Sequence, residues 1–102
     1  MIETLQKVQL VDGQFTPSEA SDVVGSLIKV KVNFHKLQRL SICEKQHYEA
    51  DTMYCDGRIS ELMEELKLAK EFIREARANG QNVRINGTLE ISILEEDVLQ
   101  PA

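Results

Sequence analysis

The most regular hydrophobic pattern in the chain runs from residue 83 to 94. Val83, Ile85, Leu89, Ile91 and Ile93 alternate with Arg84, Asn86, Thr88, Glu90 and Ser92. A period of two predicts a β-strand with one apolar and one polar face. Asn86-Gly87 inside it is a common hairpin signal. A two-residue turn there would set Ile85 against Thr88 and Val83 against Glu90 and mix the two faces. The alternation therefore predicts one continuous strand, with Gly87 at a bend or a close approach. A shorter strand is predicted over residues 4–11, where Val8 and Leu10 fall on one face and Leu5 and Val11 on the other, ended by a turn at Asp12-Gly13.

Between the strands the period changes to that of a helix. Thr16-Pro17-Ser18-Glu19 is a capping box, with Thr16 at N-cap, Pro17 at N1 and Glu19 at N3. Val23, Leu27, Val30, Phe34 and Leu37 then recur at spacings of four and three, a heptad seam. A second seam, Val24, Ile28, Val32 and Ile42, runs beside it. Gly25 suggests a close helix contact. Apolar periodicity stops in the polar run Glu44-Lys45-Gln46-His47. This places a turn at about residues 44–51, with Asp51 as the cap of the next helix and Asp56-Gly57 as a competing start. The second helix carries Cys55, Ile59, Leu62, Leu66, Ala69, Ile73 and Ala76 on one line, widened by Leu68 and Phe72, and stops at Asn79-Gly80.

The predicted fold is thus α+β: a long antiparallel two-helix hairpin, with N- and C-terminal strands pairing at its open end in the order β-α-α-β. Residues 1–94 read as one domain and 95–102 as an acidic, disordered tail. A two-stranded ribbon is marginal alone, and one hairpin partner covers only one of the first helix's two seams. Both features predict a homodimer that forms a four-helix bundle with a small antiparallel sheet. On this reading Val24, Ile28 and Val32 of the second seam, with Leu89, Ile91 and Ile93 of the strand, are the interaction residues.

Composition narrows the function without naming it. A net charge of -5 argues against a chain whose whole surface binds nucleic acid or anionic membrane. The N-terminus Met1-Ile2-Glu3-Thr4 lacks a basic region followed by an apolar run, so the expected location is cytoplasmic, with no membrane partner and reduced cysteines. Residues 26–46 are locally basic, with five Lys/Arg against one acid. Lys29, Lys31, Lys36 and Arg39 are a candidate surface for nucleic acid or an acidic partner. The plainer expectation is that they pair with Glu61, Glu64, Glu65, Glu71 and Glu75 of the second helix.

Catalytic and metal chemistry are weakly signalled. Cys43, His47 and Cys55, with Asp51 and Asp56 nearby, have a ligand-like composition, but C-x3-H-x7-C fits no standard zinc spacing. A Cys43–Cys55 disulfide is the other option for the thiols. His35 reads as an interfacial or surface residue, since no nucleophile or oxyanion site accompanies it. Glu61, Glu64 and Glu65 lack the Glu-x-x-His pattern of di-metal bundles. The expected function is therefore a non-enzymatic oligomerisation or protein-interaction module without cofactor. The alternatives are a nucleic-acid-associated regulator using the basic face, or a small-molecule or metal site at an oligomer interface.

Overall fold

A computed structural model describes residues 5–44 and 49–94. The order is β1 (Leu5–Phe15), α1 (Pro17–Glu44), α2 (Glu49–Ala78) and β2 (Val83–Ser92). The helices run antiparallel, and the strands form a two-stranded antiparallel sheet. The described chain falls into two compact units, a ribbon of residues 5–14 with 84–94 and a hairpin of residues 15–83.

The helix starts and stops follow local chemistry. Thr16 Oγ1 accepts the Glu19 backbone N–H at 3.2 Å, and Glu19 Oε1 accepts the Thr16 N–H at 3.0 Å. Two N–H groups that a helix start leaves unpaired are thereby satisfied. The Thr16 backbone N–H, and secondarily its hydroxyl, hold the Glu19 carboxyl below its ordinary range. At the far end Gly80 has φ of 66°. Gly80 N–H reaches the Arg77 carbonyl at 3.1 Å and Gln81 N–H the Ala76 carbonyl at 2.9 Å. This is the Schellman pair of bonds, and the left-handed residue it requires is a glycine.

The hairpin core lies in a single line along the facing helices. Cys55, Leu62, Leu66, Ile73 and Ala76 of α2 are buried, as the seven-residue seam of that helix predicts. From α1 the buried side chains are Ala20, Val32 and His35, with Val24, Ile28 and Ile42 half-buried. The second seam of α1 is therefore the one that packs on α2. The expectation that it would be left for a dimer partner is overturned: Val32 is only 4% exposed. The heptad seam expected to close the hairpin faces outward instead. Asp56-Gly57 is not a helix start, because α2 runs through it from Glu49. The predicted turn at 44–51 is thus shortened from its C-terminal side. Residues 45–48, the side chains of Cys43, Glu44, Glu49, Ala50 and Asp51, and the tail 95–102 lie outside the described residues, and with them the Asp51 cap.

Gly25 is buried in α1, yet a Cβ there would meet only Lys70 Cε at 3.9 Å, an ordinary contact. A close helix approach does not require it.

In the ribbon, β1 continues past the expected turn at Asp12-Gly13 to Phe15. The turn signal loses to cross-strand pairing: Asp12 Oδ1 accepts Arg84 Nη2 at 2.8 Å. Gln9 sits between two residues of β2, donating to Asn86 Oδ1 at 2.7 Å and accepting from Thr88 Oγ1 at 3.1 Å. Gln9 and Asp12 therefore share the polar side of the ribbon, although a regular strand would put residues three apart on opposite sides. The imperfect alternation of Val8, Leu10 and Val11 falls at this same break in parity. β2 is continuous through Asn86-Gly87 as predicted, ending at Ser92. A Cβ on Gly87 would lie 3.3 Å from Val11 Cγ1, so this glycine does mark a close approach.

Two stability measurements test these assignments. Gly25→Ala should raise the unfolding free energy by roughly 0.5–1 kcal/mol, the helix-interior cost of glycine, in urea titrations. Glu19 has a lowered pKa in the folded chain, so its capping stabilisation is present above the unfolded carboxylate range and is lost as pH falls through the folded value. The thermal midpoint of Glu19→Gln should therefore lie below wild type at neutral pH and converge with it in acid.

Candidate interaction surfaces

Inside the hairpin seam one cluster is polar. His35 is fully buried. It is interfacial, as one of the two expectations had it, but in the interface between α1 and α2, not on the surface. Its Nδ1 lies 3.1 Å from Gln38 Oε1, and the Cys55 thiol donates to the same oxygen at 3.3 Å. Phe34 and Tyr54 stand edge-on to the imidazole, with centroids 5.4 and 6.1 Å away. His35 Nε2 is buried with no hydrogen-bond partner. The Cys43 side chain lies outside the described residues, and the suggested Cys43–Cys55 disulfide with it. Cys43, His47 and Asp51, the other ligands of the suggested zinc site, lie outside the described side chains. Among the described residues no group of three or more His, Cys, Asp and Glu could hold a metal ion. The trio His35, Gln38 and Cys55 has the chemistry of a register lock: a polar group inside an apolar seam is satisfied at one helix offset only.

Outside the seam the hairpin has two unlike sides. With Val24, Ile28, Val32 and His35 directed at α2, the line Leu27, Val30, Phe34 and Leu37 lies about a third of a turn away, at 3.6 residues per turn. On α2, Leu68 and Phe72 lie a similar angle from the buried line. Because the helices are antiparallel, both offsets point to the same side. That side is apolar and open to solvent: Leu27 is 39% exposed, Phe34 46%, Leu68 55%, Leu37 67%, and Val30 and Phe72 69% each. Lys31 belongs here too, its ammonium 4.7 Å from the Phe34 ring centroid. The structure thus separates Lys31 from the other cations predicted to share a basic surface with it.

The opposite offset carries Lys29, Lys36 and Arg39 of α1 beside Lys67, Lys70, Arg74 and Arg77 of α2. Direct contacts fix this side. Arg39 Nε donates to Asp56 Oδ1 at 2.8 Å, and Arg77 Nη2 donates to Ser18 Oγ at 2.9 Å. The expected pairing of basic α1 with acidic α2 does not form: among the described residues the single ion pair found between the helices is Arg39–Asp56. Arg58 pairs with Glu61 within its own helix. By helical spacing Glu61 and Glu65 fall in line with Leu68 and Phe72 and away from the lysines and arginines, so the charges are segregated and not matched.

The ribbon keeps its own apolar side. Leu89, Ile91 and Ile93 of the predicted interaction set are 49%, 55% and 69% exposed. Gln9 faces the polar residues of β2, which places Val8 and Leu10 on the side of Leu89 and Ile91. No helix among the described residues is long and apolar enough to cross a membrane.

No protein-family model matches the chain, and no curated protein or solved structure is significantly similar to it. The functional reading therefore rests on the surfaces themselves. What sequence reasoning missed is the basic contribution of α2, although Lys67, Lys70, Arg74 and Arg77 follow helical spacing. Reading Arg74 and Arg77 as a helix terminus obscured it.

Removing the shared acceptor should expose how much the trio matters. Gln38→Leu removes the acceptor that the Cys55 thiol and His35 Nδ1 share in the seam. The unfolding free energy from denaturant titration should fall by about 1–3 kcal/mol.

Proposed function

We propose that this chain is a non-enzymatic protein-interaction module that works as a homodimer through the apolar side of its hairpin. The observation that carries this reading is the stripe formed by Leu27, Val30, Phe34 and Leu37 of α1 with Leu68 and Phe72 of α2, each at least 39% exposed. Together they leave on the order of 600 Å² of apolar surface open, at the upper limit of what a monomer tolerates, and two copies would bury about 1,200 Å², enough for a stable interface.

A second copy is the simplest occupant. The stripe follows heptad spacing along more than two helical turns, which is what another helix pair reads. Two hairpins packed through it give a four-helix bundle, with the basic side of each left in solvent.

Light scattering coupled to size exclusion tests this directly. Wild type at micromolar concentration should give twice the 11.6 kDa chain mass. Val30→Asp with Leu37→Asp should give a monomer that keeps its helical circular dichroism, since both side chains point out of the hairpin seam. A wild-type monomer, or a dimer indifferent to these substitutions, would overturn the reading.

A further inference from the structure

The basic side of the hairpin contains a cleft that the proposed dimer does not use. Its lining is Ser21 of α1 with Lys70, Ile73, Arg74 and Arg77 of α2, enclosing about 160 Å³. Lys70, Arg74 and Arg77 follow each other at spacings of four and three, so α2 stacks three cations along one side. Ile73 is buried and forms the floor. Arg77 also lines an adjoining cleft of about 290 Å³ with Thr16, Pro17, Ser18, Gly80, Gln81 and Asn82. No carboxylate lines either cleft.

Like charges at these spacings repel, and a helix rich in glutamate could have relieved them at the same positions. Instead Glu71 and Glu75 follow Lys70 and Arg74 by one residue, about 100° around the helix. Neither Lys70 nor Arg74 forms an ion pair among the described residues. Arg77 uses one N–H on Ser18 Oγ, which steadies the guanidinium and leaves further donors free.

We propose that this cleft binds a phosphate group. Three cations lining one cleft with a hydroxyl call for a ligand with more than one negative charge and several acceptor oxygens. A phosphomonoester or pyrophosphate supplies about two charges on a compact centre, where a carboxylate supplies one. Arginine forks match phosphate oxygens two at a time, and Lys70 adds a point charge. The half-open cleft has room for a small hydrated anion. A phosphodiester presents the same chemistry from a nucleic-acid strand.

Amide NMR titration of the full chain decides between these sources and no site. The probes are inorganic pyrophosphate and a single-stranded DNA oligonucleotide, at constant ionic strength, with sodium chloride as the control. Pyrophosphate should give saturable shifts at Ser21, Ile73 and Arg77. Lys70→Gln and Arg74→Gln should each weaken binding about tenfold, the loss of one charge-assisted hydrogen bond, while Arg74→Lys should recover part of it. Binding of the oligonucleotide alone, lost in the same two variants, would assign the cleft to a phosphodiester. Shifts no larger than those with chloride overturn the inference. So does binding that survives Lys70→Gln with Arg74→Gln but disappears in Lys29→Gln with Lys36→Gln. Because both side chains are solvent-exposed and lie away from the apolar stripe, the dimer test and this one fail independently.

Discussion

Two helices lying side by side can each bury one line of side chains, and α1 carries two. The rest of the molecule depends on how that competition is resolved. The line chosen, Val24, Ile28, Val32 and His35, places the polar trio inside the seam. The rejected line, Leu27, Val30, Phe34 and Leu37, becomes surface. Had the heptad seam been buried, Phe34 and Leu37 would be core and His35 would be half in solvent. A buried histidine with an unpartnered nitrogen carries a cost of about 1–3 kcal/mol. The burial of Val32 and Ala20 offsets it. The same choice sets where every charge falls, because a helix face fixed on one side fixes the others at 100° steps.

Polar chemistry sets the ends and the offset of the hairpin, while apolar burial supplies the attraction. The capping box at Thr16 and the Schellman turn at Gly80 fix one end of each helix. Gln38 bridges His35 and Cys55 between them. Neighbouring offsets of the same seam would keep aliphatic side chains against one another at little cost, but they would take this acceptor away from His35 and Cys55. Directional bonds therefore select among packings that hydrophobic burial alone would treat as nearly equal.

Charge segregation gives the hairpin two chemically different sides. A chain of net charge -5 still gathers Lys29, Lys36, Lys67, Lys70, Arg74 and Arg77 on one side, while its glutamates are turned elsewhere. Exposed ion pairs contribute little, so the helices lose almost nothing by leaving these cations unmatched. The result is a cationic side opposite an apolar one, which is the basis of the two separate proposals.

The sequence by itself determined the β-α-α-β order, both helix caps, the buried line of α2 and the continuity of β2 through Asn86-Gly87. Each depends on local bonding or on a period that only one conformation satisfies. Tertiary structure decided what local rules leave degenerate. Val23-Leu27-Val30 and Val24-Ile28-Val32 are equally good helical stripes, and only the opposing surface of α2 selects between them. Asp12-Gly13 is a sound turn signal until Arg84 stands across from it. The cationic cleft combines residues about fifty positions apart, Ser21 with Lys70 and Arg74, which no spacing along the chain could reveal. Local physics wrote the elements, and the single seam available between two helices decided which of their remaining faces are left to act.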